Sequence, residues 1–367
     1  MIINIKLSIF YFILLFFSFY SCSTKITQQE NNEDDIIETQ ECVSVIFESA
    51  ISIAGFQFDH SSCIDSAYGG LAEENGFSID YSDNTVLAFT FSSSVIPADS
   101  QGVLINLSFD SINGDFNSNC ISNFVISDQN ANNIYTDGMV TFDDCLDLSI
   151  VSWNIENFPK SGLSTINHVS NVINDIQPNI IGLQEMPIDT PLLDLLNESL
   201  YHPYDYIIEN NTNMSTVFLY KSHNQLKHIA SQEIYEDDYS FPRSPLILHM
   251  LWNGESIYII NNHFKCCNDD GDFERRKSAS EKLHDYIKSN LSDKKVIIIG
   301  DLNDSLLDDE NENAFSIFID DLTNYIIADM NIANGHSDYW SYPSYPSHID
   351  HIFLTTELEH AFNKSHS

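Results

Sequence analysis

Between residues 148 and 304 an apolar run stops four times on a cluster of amide, acidic or imidazole side chains. Residues 148–153 lead into Asn154-Ile155-Glu156, and 180–183 (IIGL) into Gln184-Glu185. Residues 258–260 (YII) lead into Asn261-Asn262-His263-Phe264-Lys265, and 296–299 (VIII) into Gly300-Asp301-Leu302-Asn303. Short apolar runs without alternation read as strands buried on both faces, which need helices to cover them. Such helices are in place: Ile166, Val169, Ile173 and Ile176 fall at helix spacing before Pro178, and 273–290 reads as a second helix. Further strands are predicted at 216–220, at 245–252 and 256–262 around the hairpin signal Asn253-Gly254, and at 349–354. The alternation predicts an α/β layer fold for 147–367. Ligands of such sheets sit where strands end, so the repeated pattern points to one shared pocket.

The preceding stretch has a different texture. Residues 43–47, 51–58, 85–91, 102–109, 123–127 and 138–142 are short alternating or β-branched runs between Gly, Asn, Asp and Ser clusters. That pattern predicts an all-β sandwich over 41–146. The segments 51–60, 82–93 and 102–109 resemble cohesin-like and carbohydrate-module-like sandwiches, which implies a carbohydrate or protein ligand for this module. Its phenylalanines Phe56, Phe58, Phe89 and Phe91 lie at period two, as core residues of a strand do. Cys42, Cys63, Cys120 and Cys145 allow three pairings, and Cys42 with Cys145 would staple the ends of the module.

The N-terminus reads as an export leader. Lys6 precedes an uncharged run of the length of a signal h-region, too short to span a bilayer. Ser21-Cys22 then opens a polar stretch, which resembles a lipoprotein cleavage site with Cys22 as the lipidated residue. Residues 23–40 are an acidic tether. The expected location is the cell surface or outer membrane, through a lipid anchor, or the medium.

Against 15 Lys+Arg stand 54 Asp+Glu, a net charge of -39. This excludes a binder that works by neutralising many phosphates, so any anionic ligand must be captured locally. Glu185 and Glu156 are hard oxygen donors suited to Mg²⁺, Ca²⁺ or Mn²⁺. Asn154 and Glu156 share a face if the chain stays extended there. Beside such a cation, His263 can protonate a leaving oxygen, Asp301 can orient or deprotonate water, and Asn303 can hold a phosphoryl oxygen. Arg243 and Lys265 are candidates to grip the phosphate.

SWNIENF, QE, NNHFK, GDLND and SHIDHIFL, in this order, resemble the endonuclease/exonuclease/phosphatase superfamily over residues 148–354. The resemblance implies a four-layer α/β sandwich of two packed mixed sheets and a metal-dependent phosphodiesterase, foremost an extracellular nuclease. Alternatives are a phospholipid or small-phosphoester hydrolase, and a non-catalytic surface binding protein. By the resemblance Asn154 and Glu185 match phosphate-side and metal positions, His263 the acid, Asp301 and Asn303 the water-positioning pair. Asp350 matches the acidic residue of a late strand, and Glu156 a position acidic in some branches. The family's closing Ser-Asp-His has no counterpart in the 17 residues after Asp350; the sequence as given either stops short of it or lacks it.

Overall fold

A computed structural model describes residues 15–19, 40–110, 116–208, 214–267, 269–309, 312–342 and 346–364. Cys22 and most of the predicted leader and tether lie outside the described residues. Within the leader's apolar run, β1 (Leu15–Phe19) is a strand.

The first module is built from β2 (Gln40–Ser49), β3 (Gly55–His60), β4 (Ser66–Tyr68), the short α1 (Gly70–Glu74), β5 (Ser78–Tyr81), β6 (Thr85–Phe89), β7 (Ser100–Asp110), β8 (Ile121–Ser127) and β9 (Val140–Asp144). Two four-stranded sheets form, in the orders β4-β7-β2-β9 and β5-β6-β3-β8, with all pairings antiparallel. Their inner faces bury Val43, Val45, Phe47, Phe56, Phe58, Val86, Ala88, Ile105 and Leu107, so period two does mark the core here. Phe89 and Phe91 are the exceptions: on β6 Val86 and Ala88 face the core, so Phe89 lies on the other face, and Phe91 falls past the strand's end and is 89% exposed. The cysteines pair as Cys42–Cys145 and Cys63–Cys120.

Two further sheets form the second half. One runs β1-β10-β11-β13-β12, with β10 (Leu148–Asn154), β11 (Ile180–Met186), β12 (Asp205–Ile208) and β13 (Ser215–Tyr220). The other contains β14 (Leu226–Glu233), β15 (Leu246–Trp252), β16 (Glu255–His263), β17 (Lys295–Asp301), β18 (Tyr325–Ile327) and β19 (Asp350–Thr355), in the order β14-β15-β16-β17-β19-β18. Both sheets mix parallel and antiparallel pairs. Ile150, Ile180, Phe218, Leu248, Ile259, Ile297, Ile299 and Ile352 point between the sheets. Their strand neighbours Val151, Ile181 and Leu183 pack outward on α2 (Leu163–Ile176) and α3 (Thr190–Glu198). On the other side Ile260, Val296, Ile298 and Phe353 pack on α4 (Asp272–Asn290) and α5 (Ser316–Ile319). The result is the expected four layers, and apolar residues at every strand position follow from burial on both faces. Gly182 sets how closely the sheets approach, since a Cβ there would stand 2.4 Å from Ile299 Cδ1. Gly300, at φ 146°, lets β17 run against β16; its Cβ would meet the Asn262 carbonyl oxygen at 2.0 Å.

The β15–β16 hairpin docks the halves together. Asn253, fully buried, accepts from Asn106 Nδ2 (2.9 Å) and Leu146 N (3.0 Å) and donates to Leu146 O (3.0 Å). Trp252 Nε1 also donates to Leu146 O (2.7 Å), and Glu74 accepts from Ser256 N and Oγ. The hairpin lies at the ends of β15 and β16 opposite His263, so the sandwich is held away from the strand ends that carry the polar clusters.

Candidate active site

Strand register brings the predicted clusters together. β16 and β17 are parallel with His263 beside Asp301, β17 and β19 antiparallel with Asp301 beside Asp350, and β10 and β11 parallel with Asn154 beside Gln184. At the open end of this junction one amide reaches both sheets. Asn154 Nδ2 donates to Glu185 Oε1 (3.2 Å) in its own sheet and to Asp301 Oδ2 (2.8 Å) in the other. Glu185 reaches this position through a bulge: the β11–β13 register shifts between Leu183 and Met186, and Glu185 takes φ 61°. Its Oε2 accepts from Asn157 N at 2.7 Å. Asn303, at φ 55°, donates its N–H to Asp301 Oδ1 (3.1 Å) and its Nδ2 to Phe264 O (3.3 Å). Left-handed backbone at Asn157, Glu185 and Asn303 is strain collected where side chains must be aimed.

Burial governs the electrostatics. The Asp301 carboxyl is pushed well above the usual carboxylate range, by burial first and by Asp350 next, against the hydrogen bond from Asn154. Asp350 is pushed up to about 7, again chiefly by burial; its Oδ1 has no hydrogen-bond partner. His263 is lowered to about 3 by burial and by the nearby Arg243. Its Nε2 lies 3.7 Å from Asp301 Oδ2 and 4.0 Å from Glu185 Oε1, beyond hydrogen-bond reach. Asp301 itself tends to neutrality, so these carboxylates do not hold a proton on the ring. In the free protein His263 is therefore a neutral imidazole, not a resident acid.

Crowded carboxylates, one with an orphaned buried oxygen, fit a hard divalent cation: oxygen donors satisfy it, and its charge relieves their repulsion. Glu185 is the most open of the three, with 18% of its side chain exposed against 7% for Asp301.

Other predicted residues lie elsewhere or do other work. Glu156 is not gathered in. β10 ends at Asn154, Glu156 turns to φ 21°, and its carboxylate pairs with Lys160 in solvent, so the shared-face expectation fails with the end of the strand. Lys265 is tied to Cys266 O (2.8 Å) and Asp272 (3.2 Å). Arg243 donates Nε to Met214 O (2.9 Å) and keeps its charge close to His263. Gln184 and Asn261 are buried struts: Gln184 Nε2 donates to Asn261 Oδ1 (2.7 Å), and Asn261 Nδ2 to Leu183 O and Val217 O across the sheets.

One cluster was not foreseen. His351, fully buried on β19, donates Nε2 to Asp304 O (2.8 Å) and bonds Asp329 Oδ2 through Nδ1 (2.7 Å); His348 Nε2 bonds the same oxygen (2.8 Å). It ties β19 to the segment that carries Asp301 and Asn303. Asp329 does follow a short apolar run, Tyr325-Ile326-Ile327-Ala328, of the kind that flagged the other clusters, and that signal could have found it. A cavity of about 410 Å³, lined by Glu48, Ile51, Ile134, Thr136, Asp137 and Met139 among others, belongs to the β-sandwich and not to this site.

The sequence pattern of the Endonuclease/Exonuclease/phosphatase family matches residues 151–366, well over half of the chain. The chain belongs to this family. Endonuclease/exonuclease/phosphatase proteins are phosphoester hydrolases that generally use divalent metals. No curated protein matches the chain. Among solved structures it is similar to a humanized D. rerio TDP2, with 18% identity over 57% of this chain and 83% of that one and a TM-score of 0.45. It is similar also to the human Nocturnin catalytic domain with bound sulfate (18%, 56% and 80%, 0.42). A third is the Bacteroides thetaiotaomicron mannosyl-6-phosphatase Bt3783 (15%, 57% and 85%, 0.42).

Proposed function

We propose that this chain is an exported, divalent-cation-dependent phosphodiesterase acting on nucleic acid. The observation that carries the reading is the Asn154 amide, which holds Glu185 of one sheet and Asp301 of the other in a single site. Glu185 would hold Mg²⁺, or Ca²⁺ or Mn²⁺ in its place; such an ion, when bound, offsets phosphoryl charge and lowers the pKa of water. Asp301 orients the attacking water and would take its proton in the carboxylate form, which the charge of a neighbouring cation favours over the neutral one, and Asn303 holds a phosphoryl oxygen. His263, neutral before substrate arrives, donates a hydrogen bond to the phosphate, whose negative charge opposes the depressing effect of burial and Arg243 on the ring. Asp350 stands beside Asp301 and, after burial, raises its proton affinity.

Export is supported by the apolar leader and by two disulfides, which persist in oxidising compartments. Cys22 would then anchor the chain to the outer membrane, and the sandwich cavity would be the place for a carbohydrate or protein ligand.

A second reading, a small phosphoester or phospholipid headgroup as substrate, is favoured by the net charge of -39, which repels long polyanions. The test is hydrolysis of DNA, RNA, sphingomyelin and inositol phosphates by full-length protein with Mg²⁺ or with chelator. Chelator-sensitive cleavage of DNA or RNA is expected. Cleavage confined to the small substrates would select the second reading, and cleavage indifferent to chelator would exclude both.

A further inference from the structure

Cys266 and Cys267 follow the His263 strand end by three and four residues and contribute nothing to the site described above. Both are exposed thiols with Sγ atoms 2.8 Å apart. That separation is well inside ordinary sulfur–sulfur contact and a short movement from bond formation. Cys267 takes φ 78°, a conformation that a side chain of its kind seldom adopts, so the loop is already folded back on itself. Cys266 Sγ receives the Cys267 S–H and lies 3.9 Å from the Lys265 ammonium, the polar surroundings in which a sulfur attacks a disulfide. The other four described cysteines are all paired, so this dithiol shares a chain that matures under oxidising conditions.

We propose that Cys266 and Cys267 are a redox-modification site that closes to a vicinal disulfide when the protein meets a small-molecule or protein disulfide. Cys266, as thiolate, attacks the incoming disulfide and forms a mixed disulfide, releasing one thiol. Cys267, deprotonated in turn, attacks the Cys266 sulfur and releases the second thiol. Two electrons and two protons leave the pair, and the incoming disulfide is reduced to two thiols.

The bond has a route to the site. Arg276 is 2% exposed and donates Nη1 to Cys267 O (2.8 Å) and Lys265 O (3.2 Å), while its Nε binds Asp304 (2.8 Å), next to Asn303. A closed ring at 266–267 fixes the carbonyls that orient Arg276, and Arg276 in turn holds the segment after β17. With the pair reduced, that segment is held by one fewer covalent constraint.

The full-length protein, kept without reductant and exposed to oxidised glutathione, is denatured, alkylated and digested. The expected peptide carries Cys266 and Cys267 unalkylated and about 2 Da below its dithiol mass. Recovery of both cysteines alkylated overturns the proposal, as does linkage of either to a second chain. The functional arm compares inorganic phosphate affinity of oxidised protein with that of a C266S/C267S variant, in which the Cys42–Cys145 and Cys63–Cys120 bonds are untouched. A loss of about three-fold or more is expected in the variant, with unchanged melting. Equal affinities would sever the link to the site, while the mass measurement decides the modification without any folding requirement on a variant.

Discussion

At the scale of single residues, Glu185 separates charge from shape. Glu185→Gln keeps the size of the side chain and one of the two acceptors that Asn154 Nδ2 and Asn157 N use on separate oxygens, but removes the negative charge. Divalent-dependent phosphodiester hydrolysis should fall by about 10²-fold or more, with melting within a few degrees of wild type; steady-state rates and calorimetry check this. His263 makes a prediction of stability against pH. Its folded pKa of about 3 lies below the ordinary 6.5, so the unfolded chain binds a proton first on acidification. Its contribution is fully present above pH 6.5 and is lost as pH falls towards 3. Denaturant unfolding across that window should lose less stability in His263→Gln than in wild type; parallel curves would contradict the buried neutral imidazole.

At the scale of elements, the hairpin between β15 and β16 is both a turn and a docking plug. Asn253→Ala would leave Leu146 N without its acceptor in a buried junction and take from Leu146 O one of its two donors, Trp252 Nε1 remaining. A loss of about 1–3 kcal/mol is expected in denaturant unfolding, with the hydrolytic site intact at the opposite strand ends. The Asn-Gly pair was legible as a hairpin, but its contact with Leu146 was not, because nothing local encodes what a turn will meet. The same division holds elsewhere. β10, β11, β16 and β17 stood out because burial on both faces leaves few polar positions before the strand end. β14, with mostly exposed residues in LKHIASQE, is an edge strand without a periodic face and was not predicted. Asn154, Glu185, His263 and Asp301 were found because each ends a buried run. Glu156 was misplaced because the two-residue rule stops with the strand, and the bulge that aims Glu185 has no sequence signature. Asp329, at the start of the four-residue helix Met330–Ala333, is announced by only the three-residue strand β18, an edge run too short to stand out.

At the scale of the whole molecule, an acidic chain carries its chemistry at one end of a packed pair of sheets and its accessory module at the other. The Cys42–Cys145 bond closes the sandwich across 103 residues of sequence, at the junction with the second half. C42S/C145S should lower the stability of the sandwich by about 4 kcal/mol in unfolding experiments, on the chain-entropy account. If the chain is exported as proposed, protein recovered from membranes should begin at an acylated Cys22, whereas an intact Met1 would contradict the anchor. The central claim is that Glu185 and its neighbours hold a hard cation against a phosphorus atom. Paramagnetic relaxation of the ³¹P signal of inorganic phosphate by Mn²⁺ on the full-length protein tests it most directly. Strong relaxation that disappears in Glu185→Gln is the result this account predicts; phosphate relaxed equally in both proteins, or in neither, would contradict it.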